Sequence, residues 1–422
     1  MGASQNSDLH ELKITERPPR TWTQTLNAIC AGLVFVTSAV LINSFQLVVL
    51  LPLRVIPLQA TQNLYDEGVR YSKGAFASLI NLMNQWFAPT QLKITFEREG
   101  QGKVSEEDIE RFVERDGSGK ISFLRLPQKS VITSNHQVYS DWWYIWGLTY
   151  YMGTHKDVFI VLKKSLKWVP IIGPGMQIFR FIFLARSWAH DKLILSRKLA
   201  KLGRQAELQD KPFTFILFPE GTLVSKDTKP ISKKYAEKIG ISDLSNLLLP
   251  RSTGLLYSLR SLAPRMPSLK LIDITMVYPG VPPMGYGQSW YTLRSIFCDR
   301  VPPPVVNMHI RIFDVSQEVP IGDISGTNPK TIPNGSARDT VEIDVPEYER
   351  EAFDLWLRKL WTDKDEFITK FHATESDVLA RRATIDIPLA LKSDREIPNA
   401  FCFFVPTVAV FLWAKLAGLV WH

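Results

Sequence analysis

Cysteine is scarce in this chain: three residues in 422, at positions 30, 298 and 402. They are far apart and two lie in apolar runs, so neither a disulfide framework nor a metal site is expected. No cluster has zinc-ligand spacing. No G-x-S-x-G elbow is present, which argues against a nucleophilic serine hydrolase. No internal repeat is visible. Nor is charge one-sided: 50 Lys and Arg face 42 Asp and Glu, for a net charge of +8 and a pI near 9.2. That balance suits anionic partners such as phospholipid head groups or phosphorylated substrates. Nucleic acid is a poor fit, because there is no basic stripe, finger spacing or RNA-binding aromatic motif. The chain is 45% hydrophobic, enough for a substantial core in one large domain or two ordinary ones.

Long apolar runs are present. Residues 26–53, LNAICAGLVFVTSAVLINSFQLVVLLPL, carry no charge. A bilayer core of roughly 30 Å needs about 20 helical residues, so this run is long enough to cross one. A signal peptide would have a shorter apolar stretch nearer the terminus. A second run, residues 400–422, holds one Lys415 near its end, which can snorkel. It is expected to be a C-terminal membrane anchor, the other reading being a core helix packed on the domain. The basic residues before it place that side in the cytosol. Residues 72–92 are only moderately apolar and predict an interfacial or half-buried helix.

Between residues 93 and 320, short strand-like runs such as SVITSN, VFIVLKK, FTFILFPE and LKLIDITMVYP alternate with helical patterns. This predicts an α/β domain with a mostly parallel sheet flanked by helices. The expected organisation is a polar tail at 1–25, N-terminal membrane-anchoring helices at 26–92 and the α/β domain at 93–320. A polar loop at 321–345, an amphipathic helical region at 346–395 and the anchor at 400–422 follow. Residues 114–125, ERDGSGKISFLR, imitate a calcium loop, but Arg125 stands where a bidentate glutamate belongs. A hairpin turn is the better reading.

Ligand sites in such domains gather at the carboxyl ends of strands. Asn135 and His136 follow one strand-like run and Glu220 follows another. A neutral imidazole is the usual base near pH 7 and needs a partner that fixes its tautomer. Asp141 is placed to be that partner, although five residues on a regular helix separate two side chains by about 140°. A strand-to-helix turn around Gln137–Ser140 would bring them together. His155 with Asp157, and His190 with Asp191, are close pairs too, read as solvated polar positions. The aromatic run Trp142, Trp143, Tyr144 and Trp146 suits the membrane–water interface.

NHxxxxD at Asn135–Asp141, followed by FPEGT at Phe218–Thr222, resembles the glycerolipid acyltransferase family. GPGMQIFRFIFLAR at Gly173–Arg186 resembles its second motif and DITMVYPG at Asp273–Gly280 its last. The features LFPEGT and LLLPRSTG are most similar to the eukaryotic lysophosphatidylinositol, lysocardiolipin and lysophosphatidic acid acyltransferases. One departure is Leu223, where many bacterial members carry an arginine. Arg186, Lys226 and Arg251 remain as cationic candidates.

The resemblance implies transfer of a fatty acyl group from acyl-CoA to the free hydroxyl of a lysophospholipid. His136 would be the general base, oriented by Asp141. Glu220, Gly221 and Thr222 would bind the acceptor, with Gly221 allowing close backbone approach. Arg186 and Arg251 would meet its phosphate. No cofactor or metal is required, since acyl-CoA is a substrate. The expected partners are acyl-CoA, lysophospholipid and the bilayer. The expected location is the endoplasmic reticulum membrane with the catalytic domain facing the cytosol. The alternatives are a membrane-bound lipid hydrolase or thioesterase, and a non-enzymatic lipid-binding protein.

Overall fold

The computed structural model describes residues 9–185, 188–325, 341, 344–374 and 384–402. Helix α1 (Trp22–Phe45) continues through a π turn into α2 (Leu51–Val55), and α3 (Gln59–Phe87) leads into strand β1 (Gln91–Phe96). Helix α4 (Glu106–Phe112) precedes the hairpin β2 (Val113–Arg115) and β3 (Ile121–Leu124). Its turn is held by Asp116, which accepts from the Ser118 and Lys120 amides, so the calcium-like segment is a hairpin turn. There follow β4 (Lys129–Ser134), α5 (Asp141–Tyr151), β5 (Val158–Lys163), α6 (Ile172–Ile178), β6 (Ile182–Leu184) and α7 (Trp188–Leu208). Then come β7 (Phe213–Leu217), α8 (Lys229–Ile239), α9 (Ser252–Leu262), β8 (Lys270–Val277), β9 (Val305–Asp314), α10 (Glu347–Ala373) and β10 (Ile385–Pro388).

The main sheet has eight strands in the order β10-β1-β9-β8-β4-β7-β5-β6. Only the β10–β1 and β8–β9 pairs are antiparallel. The centre is therefore parallel, as the alternating pattern predicts. Strand β4 lies between β7 and β8, and all but its first residue is buried. A strand covered on both faces must be apolar throughout, which SVITS nearly is. One face carries a core with α1, α3 and α5, the other a core with α7, α9 and α10.

Two assignments change. Residues 72–84 of α3 are all buried, so this helix is core rather than interfacial or membrane-anchoring. Its polar residues are accommodated locally: Asn81 and Asn84 donate to the carbonyls four residues back, and Lys73 Nζ donates to the Val158 carbonyl at 2.8 Å. The region 346–395 is also more than helical. Its IDIP alternates buried and exposed and pairs with β1 as an edge strand. Residues 326–340 of the polar loop and 403–422 of the C-terminal run lie outside the described residues.

Helix α1 is long and apolar enough to cross a membrane. It lies along the domain and is fastened to it at several levels. Gln24 Nε2 donates to the Asp299 carbonyl at 2.6 Å and Asn27 Nδ2 to the Phe297 carbonyl at 3.0 Å. Ser38 donates to the Ala400 carbonyl and Asn43 to the Ile171 carbonyl. Leu26, Ile29, Leu33, Val36 and Val40 are exposed, at spacings that form one outward apolar stripe.

Candidate active site

Residues 135–140 form the turn from β4 into α5, and Asp141 is the first residue of that helix. Asn135 anchors the turn. Its Nδ2 donates to the Met276 carbonyl at 3.0 Å and its Oδ1 accepts from the Met276 amide at 2.8 Å, a two-way clasp on β8. The chain then doubles back. Asp141 Oδ2 accepts from the Gln137 amide at 2.8 Å, the Val138 amide at 3.1 Å and His136 Nδ1 at 2.7 Å. The two side chains meet across a turn, not along a helix face.

The second oxygen of Asp141 accepts the Tyr278 hydroxyl at 2.5 Å. Burial pushes the Tyr278 phenol well up, and the Asp141 charge adds to it, so the phenol keeps its proton. The carboxylate is fully buried and meets four donors. With Nδ1 committed to Asp141, Nε2 of His136 is the acceptor nitrogen, and it makes no hydrogen bond among the described residues. The imidazole is 19% exposed. An oriented imidazole with an open nitrogen can take a proton from a hydroxyl.

FPEGT follows β7, the parallel neighbour of β4, and so arrives at the same edge. It holds His136 on three sides. Phe218 stacks on the ring at 4.4 Å, Glu220 Oε1 accepts the His136 amide at 3.3 Å, and the Val224 amide donates to the His136 carbonyl at 3.1 Å. Glu220 is 2% exposed and also accepts from Trp361 Nε1 and the Leu248 amide, both at 3.3 Å. Burial pushes this carboxyl up to about 8, against the pull of those donors and of Lys364. It binds three protein segments together: the His136 turn, the segment carrying Leu248 and α10.

Gly221 has φ +72, a left-handed backbone that costs an L side chain. A Cβ there would meet Arg251 at 3.6 Å, an ordinary contact, so among protein neighbours it is the backbone angle that calls for glycine. Thr222 and Arg251 line a cavity of about 410 Å³ with Thr228, Ser232, Tyr235, Ser252 and Thr253. Arg251 is held by its amide, which donates to the Pro219 carbonyl at 2.8 Å. Arg186 lies outside the described residues.

A second cavity, about 330 Å³ and almost wholly apolar, lies between α1, α5, α6 and Phe297. Trp142, Trp143 and Trp146, in the first two turns of α5 after Asp141, form part of its wall. The buried Trp143 Nε1 has no partner among the described residues. The broken stretch around Gly173 also contributes, with Met176 and Phe179 lining this cavity.

Sequence reasoning missed Tyr278 and Trp361, which reach the site from β8 and α10. The only signal for Tyr278 was its place in the last motif. The aspartates of the two close His/Asp pairs are not solvated. Asp157 is buried in a two-pronged ion pair with Arg70, at 2.7 and 3.0 Å, and burial pushes His155 down to about 3. Asp191 is 4% exposed and accepts the Ala185 amide; the side chain of His190 is not described. The three cysteines are unpaired.

An acyltransferase family model matches residues 113–278, which contain both turns. The chain is 33% identical over 375 residues to a 2-acyl-1-lysophosphatidylinositol acyltransferase of Saccharomyces cerevisiae, covering 82% of this chain and 85% of that one. It is 27% identical over 247 residues to lysocardiolipin acyltransferase 1 of Danio rerio, covering 58% and 53%. It is 23% identical over 387 residues to 1-acyl-sn-glycerol-3-phosphate acyltransferase 2 of Arabidopsis thaliana, covering 91% and 82%. With the oriented imidazole, its second turn and this extent of similarity together, the chain belongs to the glycerolipid acyltransferase family and is a lysophospholipid O-acyltransferase.

Proposed function

We propose that the protein transfers a fatty acyl group from acyl-CoA to the free hydroxyl of a lysophospholipid at a membrane surface. The observation that carries the mechanism is the 2.7 Å bond from His136 Nδ1 to Asp141, which leaves Nε2 open. Nε2 takes the hydroxyl proton as the oxygen attacks the thioester carbonyl. The carbon–sulfur bond then breaks, and the departing thiolate takes the proton from the imidazolium. Asp141 fixes the tautomer and meets the imidazolium's charge, as an aspartate does in a hydrolytic triad. No enzyme nucleophile takes part, because the acceptor supplies it.

The apolar cavity supports the reading of an acyl-chain site, and the orphan Trp143 N–H is a donor available to an acyl carbonyl oxygen there. The cavity beside Gly221 suits the acceptor's head group: Arg251 supplies one cation for a phosphate, and six hydroxyl side chains surround it. That lining favours a polyol head group of the lysophosphatidylinositol type over bare lysophosphatidic acid, in keeping with the substrate named for the Saccharomyces relative. The apolar stripe of α1 faces the bilayer, and the domain faces the cytosol of the endoplasmic reticulum, where acyl-CoA is supplied.

CoA release by purified protein in detergent, with acyl-CoA and a panel of lysolipids, tests this. Release should require a lysolipid and be fastest with an inositol head group. Release without acceptor would establish a hydrolase, and no turnover with any lysolipid a binding protein. Protease treatment of sealed endoplasmic reticulum vesicles checks the side: cleavage within residues 322–339 is expected, and protection until detergent is added would place the domain in the lumen.

A further inference from the structure

A third cavity, about 660 Å³, opens at the β6 edge of the sheet. Its size is within the usual range for small-molecule sites, roughly 300–1,000 Å³. Five cationic side chains line it, Arg54, Lys167, Arg180, Lys198 and Lys201, against one carboxylate, Asp66. Asp66 is taken by Arg180. The other four cations have no carboxylate within ion-pair distance among the described residues. Like charges left together in a concave surface repel one another, and an anion relieves that cost. Partial burial, and then the charge of Lys167, lower the Lys198 ammonium's pKa, as expected of a cation crowded by another.

The cavity's place matters as much as its charge. Phe183 lines it, and Phe183 is in register with Leu162 of β5. Ile160 of the same strand is in register with Ile216 of β7. Phe183 is therefore level with Phe218, which stacks on His136, and two strands away from it. At about 4.8 Å per strand the lateral gap is roughly 10 Å, shorter than an extended pantetheine arm. Helix α6 separates this cavity from the apolar one. Met176 and Phe179 line the apolar side, Gln177 and Arg180 the basic side, and Phe181 both. Ile171 and Arg180, at the two ends of that helix, both have left-handed backbone, φ 66 and 61. Such a backbone is strained for a residue with a Cβ and persists only where its surroundings hold it.

We propose that this basic cavity binds the phosphate-bearing nucleotide end of the acyl donor, while the acyl chain occupies the apolar cavity across α6 and the thioester lies by His136. The proposal rests on acyl-CoA being the donor. Four unpaired cations match the several charges of a pyrophosphate and a ribose phosphate. The role is positioning through charge, separate from acceptor recognition at Arg251.

Full-length Lys198→Ala/Lys201→Ala protein, altered at two exposed positions, tests it in detergent with acyl-CoA and with the thioester of dephospho-CoA. The expected result is a KM for acyl-CoA raised on the order of tenfold, with kcat within about twofold and the lysolipid KM unchanged. Wild-type protein should prefer acyl-CoA to the dephospho thioester, and the double variant should lose that preference. Lys198→Arg/Lys201→Arg should restore both. An unchanged donor KM in a double variant that turns over normally would overturn the proposal. So would an unchanged donor KM with weaker binding to vesicles of anionic phospholipid, which would make the cavity a head-group contact. Wild-type protein that uses no CoA thioester would instead overturn the reaction proposed above.

Discussion

Asp141 and Glu220 are both buried carboxyl groups just past adjacent parallel strands, yet they are held in opposite ways. Asp141 is met by four donors at 2.5–3.1 Å, one of them the imidazole whose other nitrogen is open. Glu220 is met by three N–H groups, all at 3.3 Å, and each belongs to a different segment. Short bonds to an ionisable neighbour transmit charge to the site. Long bonds to main chain and indole hold its floor. A carboxyl in a motif can thus tie protein segments together, and Glu220 does so while lining the cavity beside Gly221.

Breaking the first carboxylate's job should have the largest effect. His136→Ala should lower acyl transfer about 10²-fold or more, the usual scale of a general base. Asp141→Asn should be comparably severe through a mis-set tautomer. Circular dichroism should show both proteins folded, and near-normal turnover by the His136 variant would remove the mechanism.

Tyr278→Phe takes away one of the four donors and leaves the ring. A loss of about three- to tenfold in kcat is expected, the scale of one ordinary net hydrogen bond of about 0.7–1.4 kcal/mol. The KM for lysolipid should not move, and the pH–rate profile should shift with the imidazole. A rise in KM alone would make Tyr278 a substrate contact.

Glu220 sharpens the comparison through pH. Its carboxyl titrates near 8 in the fold and near 4.5 unfolded, so above the lower value the unfolded chain sheds a proton that the folded one keeps. Stability should be fully present below about 4.5 and fall as pH rises towards 8, by up to about 1.4 kcal/mol per pH unit for one proton. Denaturant titrations of Glu220→Gln should lack this slope. An identical slope in both proteins would remove Glu220 as its source. The smallest effect is the one expected of chelation: EDTA should leave turnover unchanged apart from magnesium's effect on anionic lipid, because no step draws on a bound ion. Loss restored by a single transition metal would contradict it.

Much of this arrangement was legible in the sequence. Short β-branched runs ending in turns give the parallel centre of the sheet, and NHxxxxD with FPEGT gives the two turns that meet at His136. What stayed hidden depends on distant partners. Nothing near residue 141 announces Tyr278, and nothing near 220 announces Trp361, because the pairing is made by β8 and α10. Helix α3 misled through its composition: Ser72, Lys73, Asn81 and Asn84 look wet, but each places its donor on a backbone carbonyl and is buried. The reason for Gly221 was equally out of reach, since a positive φ and a close neighbour leave the same letter.

Helix α1 forms one wall of the apolar cavity through Ala28, Ala31, Phe35, Ala39 and Ile42 while its outward apolar stripe is exposed. If the stripe lies in lipid and the cavity holds the acyl chain, as proposed, anchor and ruler are one object. A bilayer whose thickness shifts or tilts this helix would then resize the space in which a fatty chain is measured, and the membrane's own composition would enter the choice of chain. Cutting the helix away would discard that measuring edge along with the tether.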